Sequence, residues 1–500
     1  MENRVDGLVR RHARVSPGRT AIIDGDLVLT YGQLVELCDE WAARLRSAGI
    51  RPGDLVALDC GRGAPSIVAM LAVMSAGAVF APLDEGDPPS RREAILSDCR
   101  PAAILTPSRA RPLAASFDLV TCAEHRPSPS IEESAASRGA YVMFTSGSTD
   151  KPKGVLVGHG SIINLIREPR FGLGSGVRVA HCGNEAFDGS VLEIWGALGN
   201  GGTLISLDTN ALLDPASLRS MLSAYQIDVM FLTTAVFNFL ADVDPSVFAS
   251  LKRVVFGGER ASASHITAVL NSTSAGRPHL LNGYGPTEAT VCAVLADLER
   301  DRPHSSDVPI GTPVHNVGCY LLDADGNPAV EGELYLTGSC LAHGYWNNPR
   351  ATREKFVQIE VHGETSRAYR TGDICRVNDG QLYFVGRHDS MVKLRGHRIE
   401  LGEVERVLSL EADIREACVL MIEFTEGPEI VAVVSAAAEV SLERIRKSAR
   451  EWLPRYMLPT RMMVIDSMPL GSTGKIDRER LAARVRANRD ALAVIQSEIA

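Results

Sequence analysis

The chain has 500 residues, of which 45% are hydrophobic and 23% are charged. This length exceeds what one ordinary hydrophobic core can use, so it predicts two or three compact units. The net charge of −9 argues against a general nucleic-acid binder, because such proteins carry a basic excess or a basic stripe. Neither a signal peptide nor a membrane span is predicted, since the N-terminus is charged and the apolar stretch Ile67–Leu83 is interrupted by Ser75, Gly77 and Pro82.

The ten cysteines stand singly along the chain, from Cys38 to Cys418, with no C-x-x-C pair, and no H-E-x-x-H motif occurs. This spacing is typical of free thiols in a reducing compartment and does not support a disulfide framework or a structural zinc site. We therefore expect a cytoplasmic protein without a structural metal.

Apolar strand-like runs alternate with helical patterns through the first three-quarters of the chain. Ile67–Leu83 predicts a buried helix running into a strand, and His125–Ser137, rich in Pro, Ser and Glu, predicts a surface loop. Continuous apolar strands separated by helices indicate parallel sheets covered on both faces. The predicted strands of this kind are Leu55–Leu58, Ala103–Leu105, Tyr141–Phe144, Val229–Leu232 and Arg253–Phe256.

Near Glu331 the pattern changes to shorter strands with Gly and Asn turns, such as Gly332–Gly338 and Gln381–Gly386. A charged stretch, residues 386–390, then precedes a unit in which helix and strand patterns alternate. We therefore predict an α/β protein with two domains. The large N-terminal domain, residues 1–388, has parallel-rich sheets covered by helices and a small β subdomain, and residues 389–500 form a smaller, mobile α+β domain.

A cluster of small residues follows the predicted strand at Tyr141–Phe144 and precedes two lysines, Lys151 and Lys153. Glycine permits close backbone approach to phosphates, and hydroxyls and lysines can meet their charge. Taken alone, the cluster also fits a flexible surface turn, and it is not a Walker A loop because Gly-Lys-Ser/Thr is missing. The cluster consists of Thr145, Ser146, Gly147, Ser148 and Thr149.

Further short motifs stand in a fixed order along nearly the whole chain. They are Leu29–Tyr31, Ala76–Asp84, the loop Thr145–Gly154, Asn282–Glu288, Tyr369–Asp373, Gly386–Asp389, Lys393–Gly396 and Gly474–Asp477. Together and in this order they resemble the motifs of the adenylate-forming superfamily. That superfamily comprises acyl-CoA synthetases, luciferases and the adenylation domains of nonribosomal peptide synthetases.

The resemblance implies that a substrate carboxylate attacks the α-phosphorus of ATP and that pyrophosphate leaves, with the protein supplying position and charge. Catalytic roles fall to Lys475 between the carboxylate and the α-phosphate, to Glu288 as the Mg²⁺ ligand and to Thr287 on phosphate oxygens. ATP and Mg²⁺ are the implied cofactors. The implied ATP-binding residues are Thr145, Ser146, Gly147, Ser148, Thr149, Lys153, Asn282, Gly283, Tyr284, Thr287, Asp373 and Arg387.

Within that set, the resemblance places Asn282 and Tyr284 on the adenine. Asp373 would accept from both ribose hydroxyls, with Arg387 nearby. In the resembling enzymes the small C-terminal domain swings about a hinge, here Asp389, and brings in the catalytic lysine in one orientation.

Two positions depart from the superfamily pattern. Asp150 stands where the phosphate loop usually has glycine, and its charge would weaken nucleotide affinity, although Asp tolerates the left-handed conformation better than most residues. Thr473 replaces the usual Asn before Gly474 and Lys475. Neither change removes a catalytic group, so we expect an active enzyme.

Asp188, within Ala186–Ser190, indicates which acid is activated. In the amino-acid-activating members an Asp at this position pairs with the α-ammonium group of the substrate, and acyl- and aryl-activating members generally lack it. A buried ammonium without such a partner is costly. The residues alone leave open that Asp188 merely caps the following helix.

The side-chain pocket implied by the resemblance contains no charged side chain, which favours a neutral amino acid. We expect a small or medium aliphatic substrate, alanine-sized first and then valine or isoleucine, with glycine, serine and proline open. Apolar pockets distinguish one methylene by only about 1–3 kcal/mol, so several substrates can be accepted. The implied amino-acid-binding residues are Asp188, Gly189, Leu192, Phe231, Val255, Gly257, Gly283, Val291, Cys292 and Lys475.

The sequence contains no Gly-Gly-x-Ser site for a phosphopantetheine arm. We therefore expect an amino acid–carrier protein ligase of natural-product biosynthesis, which passes the aminoacyl group to the phosphopantetheine thiol of a separate carrier protein. Release to coenzyme A stays open. The alternatives are an aryl- or acyl-acid–CoA ligase and a catalytically inactive nucleotide-binding homologue.

Overall fold

A computed structural model describes residues 3–107, 117–122, 138–145, 152–272, 278–298, 307–361, 363–387, 391–411, 413–424, 427–436, 441–469, 476–489 and 492–494. The chain divides into two compact units. The first comprises Met1–Asp84, Asp98–Phe144 and Lys153–His388, and the second comprises Glu85–Ser97, Thr145–Pro152 and Asp389–Ala500. The predicted boundary at 388/389 and the predicted loop His125–Ser137 lie outside the described residues and stay predictions.

The larger of the two big sheets in the first unit has nine strands in the order β15-β14-β13-β12-β11-β9-β10-β1-β2. Strands are numbered in chain order: β1 (Thr20–Asp24), β2 (Leu27–Thr30), β9 (Arg178–His181), β10 (Thr203–Ser206), β11 (Val229–Thr233), β12 (Arg253–Gly257), β13 (His279–Tyr284), β14 (Val294–Asp297) and β15 (Thr312–Pro313). The strands from β13 to β1 are mutually parallel, and the antiparallel pairs lie at the two edges. The predicted strands at Val229 and Arg253 are confirmed as β11 and β12.

A second sheet has seven strands in the order β18-β8-β7-β4-β3-β5-β6. Its strands are β3 (Leu55–Leu58), β4 (Val79–Pro82), β5 (Ala103–Pro107), β6 (Phe117–Thr121), β7 (Gly139–Thr145), β8 (Lys153–Gly158) and β18 (Gly344–Tyr345). Every residue of β3 and β4 is buried, because a parallel strand covered on both faces needs apolar side chains at consecutive positions. The predicted strands at Leu55, Ala103 and Tyr141 are therefore confirmed.

Helices pack against these sheets and complete the core. They are α1 (Val5–Val15), α2 (Tyr31–Ser47), α3 (Ala64–Ser75), α5 (His159–Ile166), α6 (Gly189–Leu198), α7 (Thr209–Leu212), α8 (Pro215–Ala224), α9 (Thr234–Val243), α10 (Ala263–Ser272) and α11 (Pro349–Lys355). Helix α3 runs into β4, as predicted for Ile67–Leu83, and is buried over most of its length. Within the described residues, no helix has the length and apolar character that crossing a membrane requires.

A five-stranded antiparallel sheet forms the small β subdomain. Its strands are β16 (Val317–Leu322), β17 (Glu331–Gly338), β19 (Phe356–Val361), β20 (Glu364–Asn378) and β21 (Gln381–Arg387). The β20–β21 pairing shifts register between Ile374 and Cys375, an irregularity that leaves Asp373 opposite Arg387.

The second unit is α+β. Its strands are β22 (Met391–Leu394), β23 (His397–Glu400), β24 (Ile414–Phe424), β25 (Gly427–Ala436), β26 (Arg461–Ile465) and β27 (Ala493–Val494). Its helices are α4 (Pro89–Cys99) up to Ser97, α12 (Leu401–Leu408), α13 (Leu442–Trp452) and α14 (Arg478–Ala487). Alternate residues of β24 and β25 enter two separate hydrophobic clusters, one with α12 and α13 and the other with α14. The predicted α/β class with parallel-rich sheets is confirmed.

Candidate active site

Three parallel strands, β11, β12 and β13, end side by side at one edge of the nine-stranded sheet. Phe231 pairs with Val255, and two residues further along Gly257 pairs with Gly283. Residues paired in this way, or two apart on one strand, lie on the same face of a sheet. The four predicted pocket residues on these strands therefore share one face near their carboxyl ends, which is where open α/β sheets bind ligands.

Close approach of β12 and β13 explains why glycine stands at position 257. A Cβ at Gly257 would lie 2.2 Å from the carbonyl oxygen of Gly283, which is a backbone atom that cannot rotate away. A Cβ at Gly283 would lie 3.3 Å from the Sγ of Cys292. By contrast, a Cβ at Gly189 would meet nothing within 4 Å.

The remaining predicted pocket residues belong to the same apolar cluster. Leu192 on α6 and Cys292 are buried in one cluster with Phe231 and Val255, and Val291 packs against it. Val291 has φ +69°, and Cys292 N donates to Thr290 O at 2.8 Å, so the chain makes a tight γ-turn here. A positive φ is strained for a β-branched residue, and such strain is tolerated where the surroundings fix the chain.

Asp188 lies at the N-cap position of α6. Its backbone is already helical (φ −66°, ψ −21°), and in the described part of the chain its side chain makes no capping hydrogen bond. Burial first, and then the charge of Asp188, raises the pKa of Tyr141 well above its usual value, so the carboxylate lies near that buried ring.

Asp373 accepts hydrogen bonds from two side chains at once. The Tyr284 hydroxyl donates to Oδ2, and the Arg387 guanidinium donates to Oδ1 and, at 3.1 Å, to the carbonyl oxygen of Thr371. Burial, followed by the charge of Asp373, raises the pKa of Tyr284 well above its usual value, which keeps this hydroxyl a donor. Three residues from separate predicted motifs thus meet in one group; the ribose and adenine roles stay predictions.

Glu288 is fully buried in a short 3₁₀ helix, Thr287–Ala289, that follows β13. The hydroxyl of Tyr345 donates to Glu288 Oε1 at 2.6 Å. Lys153 Nζ, from the start of β8, lies 5.8 Å from the centroid of the same Tyr345 ring, a cation–π distance. Tyr345 was not among the predicted residues, and no local motif connects it with a glutamate 57 positions away.

The other predicted ATP residues are only partly described. Asn282 is buried, and its amide donates to Pro309 O at 2.8 Å, while Thr145 ends β7. The predicted residues outside the described part of the chain are Ser146, Gly147, Ser148, Thr149, Asp150, Asp389, Thr473 and Lys475. Their roles therefore stay predictions.

Sequence reasoning also missed a buried charged cluster beside Asp188. His181 Nδ1 lies 2.6 Å from Glu193 Oε2, and its Nε2 lies 3.0 Å from Glu185 Oε1. All three side chains are at most 3% exposed. Burial alone would lower the pKa of His181, but the hydrogen bonds to the two carboxylates outweigh it and raise the pKa to about 9. We call these three residues the His181 cluster.

Within the described residues, no group of three or more His, Cys, Asp or Glu side chains is placed to hold a metal ion. Mg²⁺ usually takes one or two protein carboxylates together with substrate phosphates and water. Glu288, oriented by Tyr345, is a carboxylate of the right kind.

Comparison with known proteins agrees with this geometry. The model of the AMP-binding enzyme family matches residues 9–346. The chain is 36% identical over 489 residues to bacitracin synthase 1 of Bacillus licheniformis, an alignment that covers 95% of this chain and 9% of that protein. The chain thus spans about a tenth of the length of the first curated relatives it matches.

Two solved structures extend the comparison. Holo-PA1221, a nonribosomal peptide synthetase protein containing adenylation and PCP domains, superposes with a TM-score of 0.83 at 29% identity, covering 96% of this chain and 84% of that one. Holo-AB3403, a four-domain nonribosomal peptide synthetase bound to AMP and glycine, gives a TM-score of 0.66 at 30% identity, covering 95% of this chain and 36% of that one. Fold, motif order and family match agree: the chain belongs to the AMP-binding enzyme family, within the adenylate-forming superfamily, and is close to nonribosomal-peptide adenylation domains.

Proposed function

We propose that the chain activates a small or medium neutral, aliphatic amino acid with ATP and passes it to a carrier protein. In the first step a carboxylate oxygen of the amino acid attacks the α-phosphorus of ATP. The bond to pyrophosphate breaks, and aminoacyl-AMP forms. In the second step the phosphopantetheine thiol of the carrier attacks the acyl carbon, the thiol proton is lost, and AMP leaves.

The chain's own residues serve the first step by position and charge, since little covalent work falls to a protein in phosphoryl chemistry. Mg²⁺ would neutralise charge developing on the phosphates, and Glu288 is the residue that would hold it. Asp373, held between Tyr284 and Arg387, suits a pair of ribose hydroxyls because a carboxylate accepts several hydrogen bonds. Lys475 is proposed as the group that meets the charge of the substrate carboxylate and the α-phosphate.

The observation that carries the amino-acid assignment is Asp188. It is the N-cap residue of α6, which packs on β9 and β11, and its side chain makes no capping hydrogen bond within the described residues. Three side chains of the predicted pocket, Leu192, Phe231 and Val255, are apolar and buried. One carboxylate combined with neutral, apolar pocket residues suits a substrate with an ammonium group and an uncharged side chain.

The carrier step rests on relatives rather than on a described site. Holo-PA1221 contains adenylation and PCP domains in one protein. A thioester keeps the acyl group activated for later bond formation. A carrier thiol is therefore the proposed acceptor, and coenzyme A is the competing acceptor.

Amino-acid-dependent exchange of pyrophosphate into ATP tests the proposal without the carrier. The wild-type chain should exchange with alanine-sized to isoleucine-sized amino acids and not with benzoate or a fatty acid. Asp188→Asn should raise the KM for the amino acid about 30-fold or more, equivalent to about 2 kcal/mol, because it leaves the ammonium without a charged partner.

Asp214→Asn is the matched control, because Asp214 is a true N-cap: its carboxylate accepts from Ser217 N at 3.1 Å. Asparagine caps as well as aspartate, so neither kinetics nor stability should change in that variant. If Asp188→Asn behaves like the control, Asp188 is not the partner of the ammonium group. If wild type prefers the amine-free acids, the chain is an aryl or acyl ligase. No exchange with any acid would favour an inactive nucleotide-binding homologue.

A further inference from the structure

The His181 cluster is built around a charged imidazole. Each ring nitrogen faces a carboxylate, at 2.6 Å from Glu193 and 3.0 Å from Glu185. Both carboxylates also accept hydrogen bonds from backbone N–H groups. A neutral imidazole can donate from only one nitrogen, whereas the protonated ring, which the raised pKa of His181 favours, donates to both carboxylates.

The His181 cluster holds the segment 182–187 at its start and in its middle. Glu193, four residues inside α6, accepts from Cys182 N at 3.3 Å and from Gly183 N at 3.1 Å. Glu185, in the middle of the segment, accepts from Gly63 N at 2.7 Å in addition to the ring of His181. The segment is thereby tied to the end of β9, to α6 and to the turn that precedes α3.

The turn before α3 is itself shaped for this contact. Gly63 has φ +103°, and a Cβ there would lie 2.4 Å from Asp24 Oδ2, so only glycine fits. Asp24 accepts from Ala64 N at 2.8 Å. The Arg62 guanidinium donates to the carbonyl oxygens of His181 and Leu207, so a further charged side chain contacts the backbone of His181.

Packing alone would not require buried charged side chains such as those of the His181 cluster. Burying three charged side chains is expensive, and apolar residues of the same volume usually stabilise a core as well or better. A hydrogen-bonded network of charged groups, unlike apolar packing, holds the backbone in a single conformation. The residue that follows the fixed segment is Asp188.

We propose that the His181 cluster holds residues 182–187 in one conformation and thereby positions Asp188 for the α-ammonium group of the substrate. This inference rests on the proposed function. An ion pair contributes fully only when its partners are held in place, so His181 acts as a positioning residue for amino-acid binding. ATP binding depends on other elements and should be insensitive to it.

The test measures the KM for the amino acid and the KM for ATP in pyrophosphate exchange by the His181→Gln variant. Glutamine removes the charge and leaves one of two buried carboxylates without its side-chain donor. The KM for the amino acid should rise about 10-fold or more, and the KM for ATP should stay within about 3-fold. His265→Gln is the matched control, because His265 also contacts a carboxylate, Asp242 at 3.0 Å, but at the surface, and neither KM should change.

The double variant His181→Gln/Glu185→Gln keeps the inference testable if the single variant folds poorly. It removes one of the two carboxylates that demanded a charge, so the KM for the amino acid should return to within about 3-fold of wild type. An unchanged amino-acid KM in His181→Gln, or an equal rise of both KM values without rescue, would overturn the inference alone. Wild type without amino-acid-dependent exchange would overturn the proposed function, and this inference with it.

Discussion

Glycine residues at the proposed side-chain pocket differ in how much space surrounds them. Gly257 faces a backbone oxygen at 2.2 Å from the site of a Cβ, whereas Gly189 faces open space. A methyl group at 257 would force β12 and β13 apart, and a methyl group at 189 would project freely next to Asp188. Replacing each glycine with alanine therefore distinguishes an effect on the stability of the sheet, at position 257, from an effect on the volume of the pocket, at position 189.

Gly257→Ala should lower the free energy of unfolding by about 1–3 kcal/mol, the usual cost of overpacking a core. Gly189→Ala should leave stability unchanged or raise it by up to about 1 kcal/mol, since alanine favours the first turn of a helix more than glycine does. If Gly189 lines the pocket, its variant should also lose exchange with valine and isoleucine before alanine. Urea unfolding and the amino-acid panel measure both effects, and an unchanged substrate range in Gly189→Ala would remove this residue from the pocket.

At the scale of elements, a strand of only two residues sets the position of the proposed magnesium ligand. Strand β18 pairs with β8, Tyr345 opposite Val155, and its tyrosine hydroxyl reaches the buried Glu288. The same pairing brings Lys153, the first residue of β8, over the tyrosine ring. Two proposed charge-bearing residues are therefore aligned by one short antiparallel contact.

Tyr345→Phe removes the hydroxyl and leaves the ring. The buried carboxylate of Glu288 loses a hydrogen bond to a charged acceptor, which should lower the free energy of unfolding by about 1.5–3 kcal/mol. The half-saturating Mg²⁺ concentration for exchange should rise several-fold, because a less oriented carboxylate binds the ion more weakly. Tyr320→Phe, on β16 of the small sheet, is the control and should change neither quantity. A Mg²⁺ requirement equal to wild type would separate Tyr345 from metal binding.

The elements best predicted from sequence are those whose pattern depends on local burial. Leu55–Leu58 reads as a parallel strand because it is apolar at consecutive positions, and α3 reads as a buried helix for the same reason. The register shift that sets Asp373 opposite Arg387 has no such local pattern. The contacts of Tyr345 with Glu288 and of His181 with its carboxylates form between chain segments that meet only in the folded structure, so no local pattern predicts them. The sequence motifs identified Asp373 and Glu288 but not the residues that contact them.

For the whole molecule, two buried histidines make stability depend on pH in opposite directions. His181 has its pKa raised to about 9, so its contribution is fully present below pH 6.5 and is lost as the pH rises through about 9. His159, at the start of α5, has its pKa lowered from 6.5 to about 3, chiefly by burial and further by Arg4 and His343. Its contribution is therefore present above pH 6.5 and is lost as the pH falls toward 3.

The acid side offers the cleaner measurement, because one substitution removes one titration. His159 is 3% exposed, and its Nδ1 accepts from Val5 N at 3.4 Å, so glutamine can keep the acceptor without the titrating group. Protonation of this histidine in the unfolded chain alone should cost wild type about 3 kcal/mol between pH 7 and pH 4. Carboxylates with lowered pKa values, such as Glu168, contribute in both proteins and cancel in the comparison. The unfolding free energy of His159→Gln should thus fall less steeply with acid than that of wild type, and parallel curves would mean that the pKa of His159 is not lowered in the folded chain.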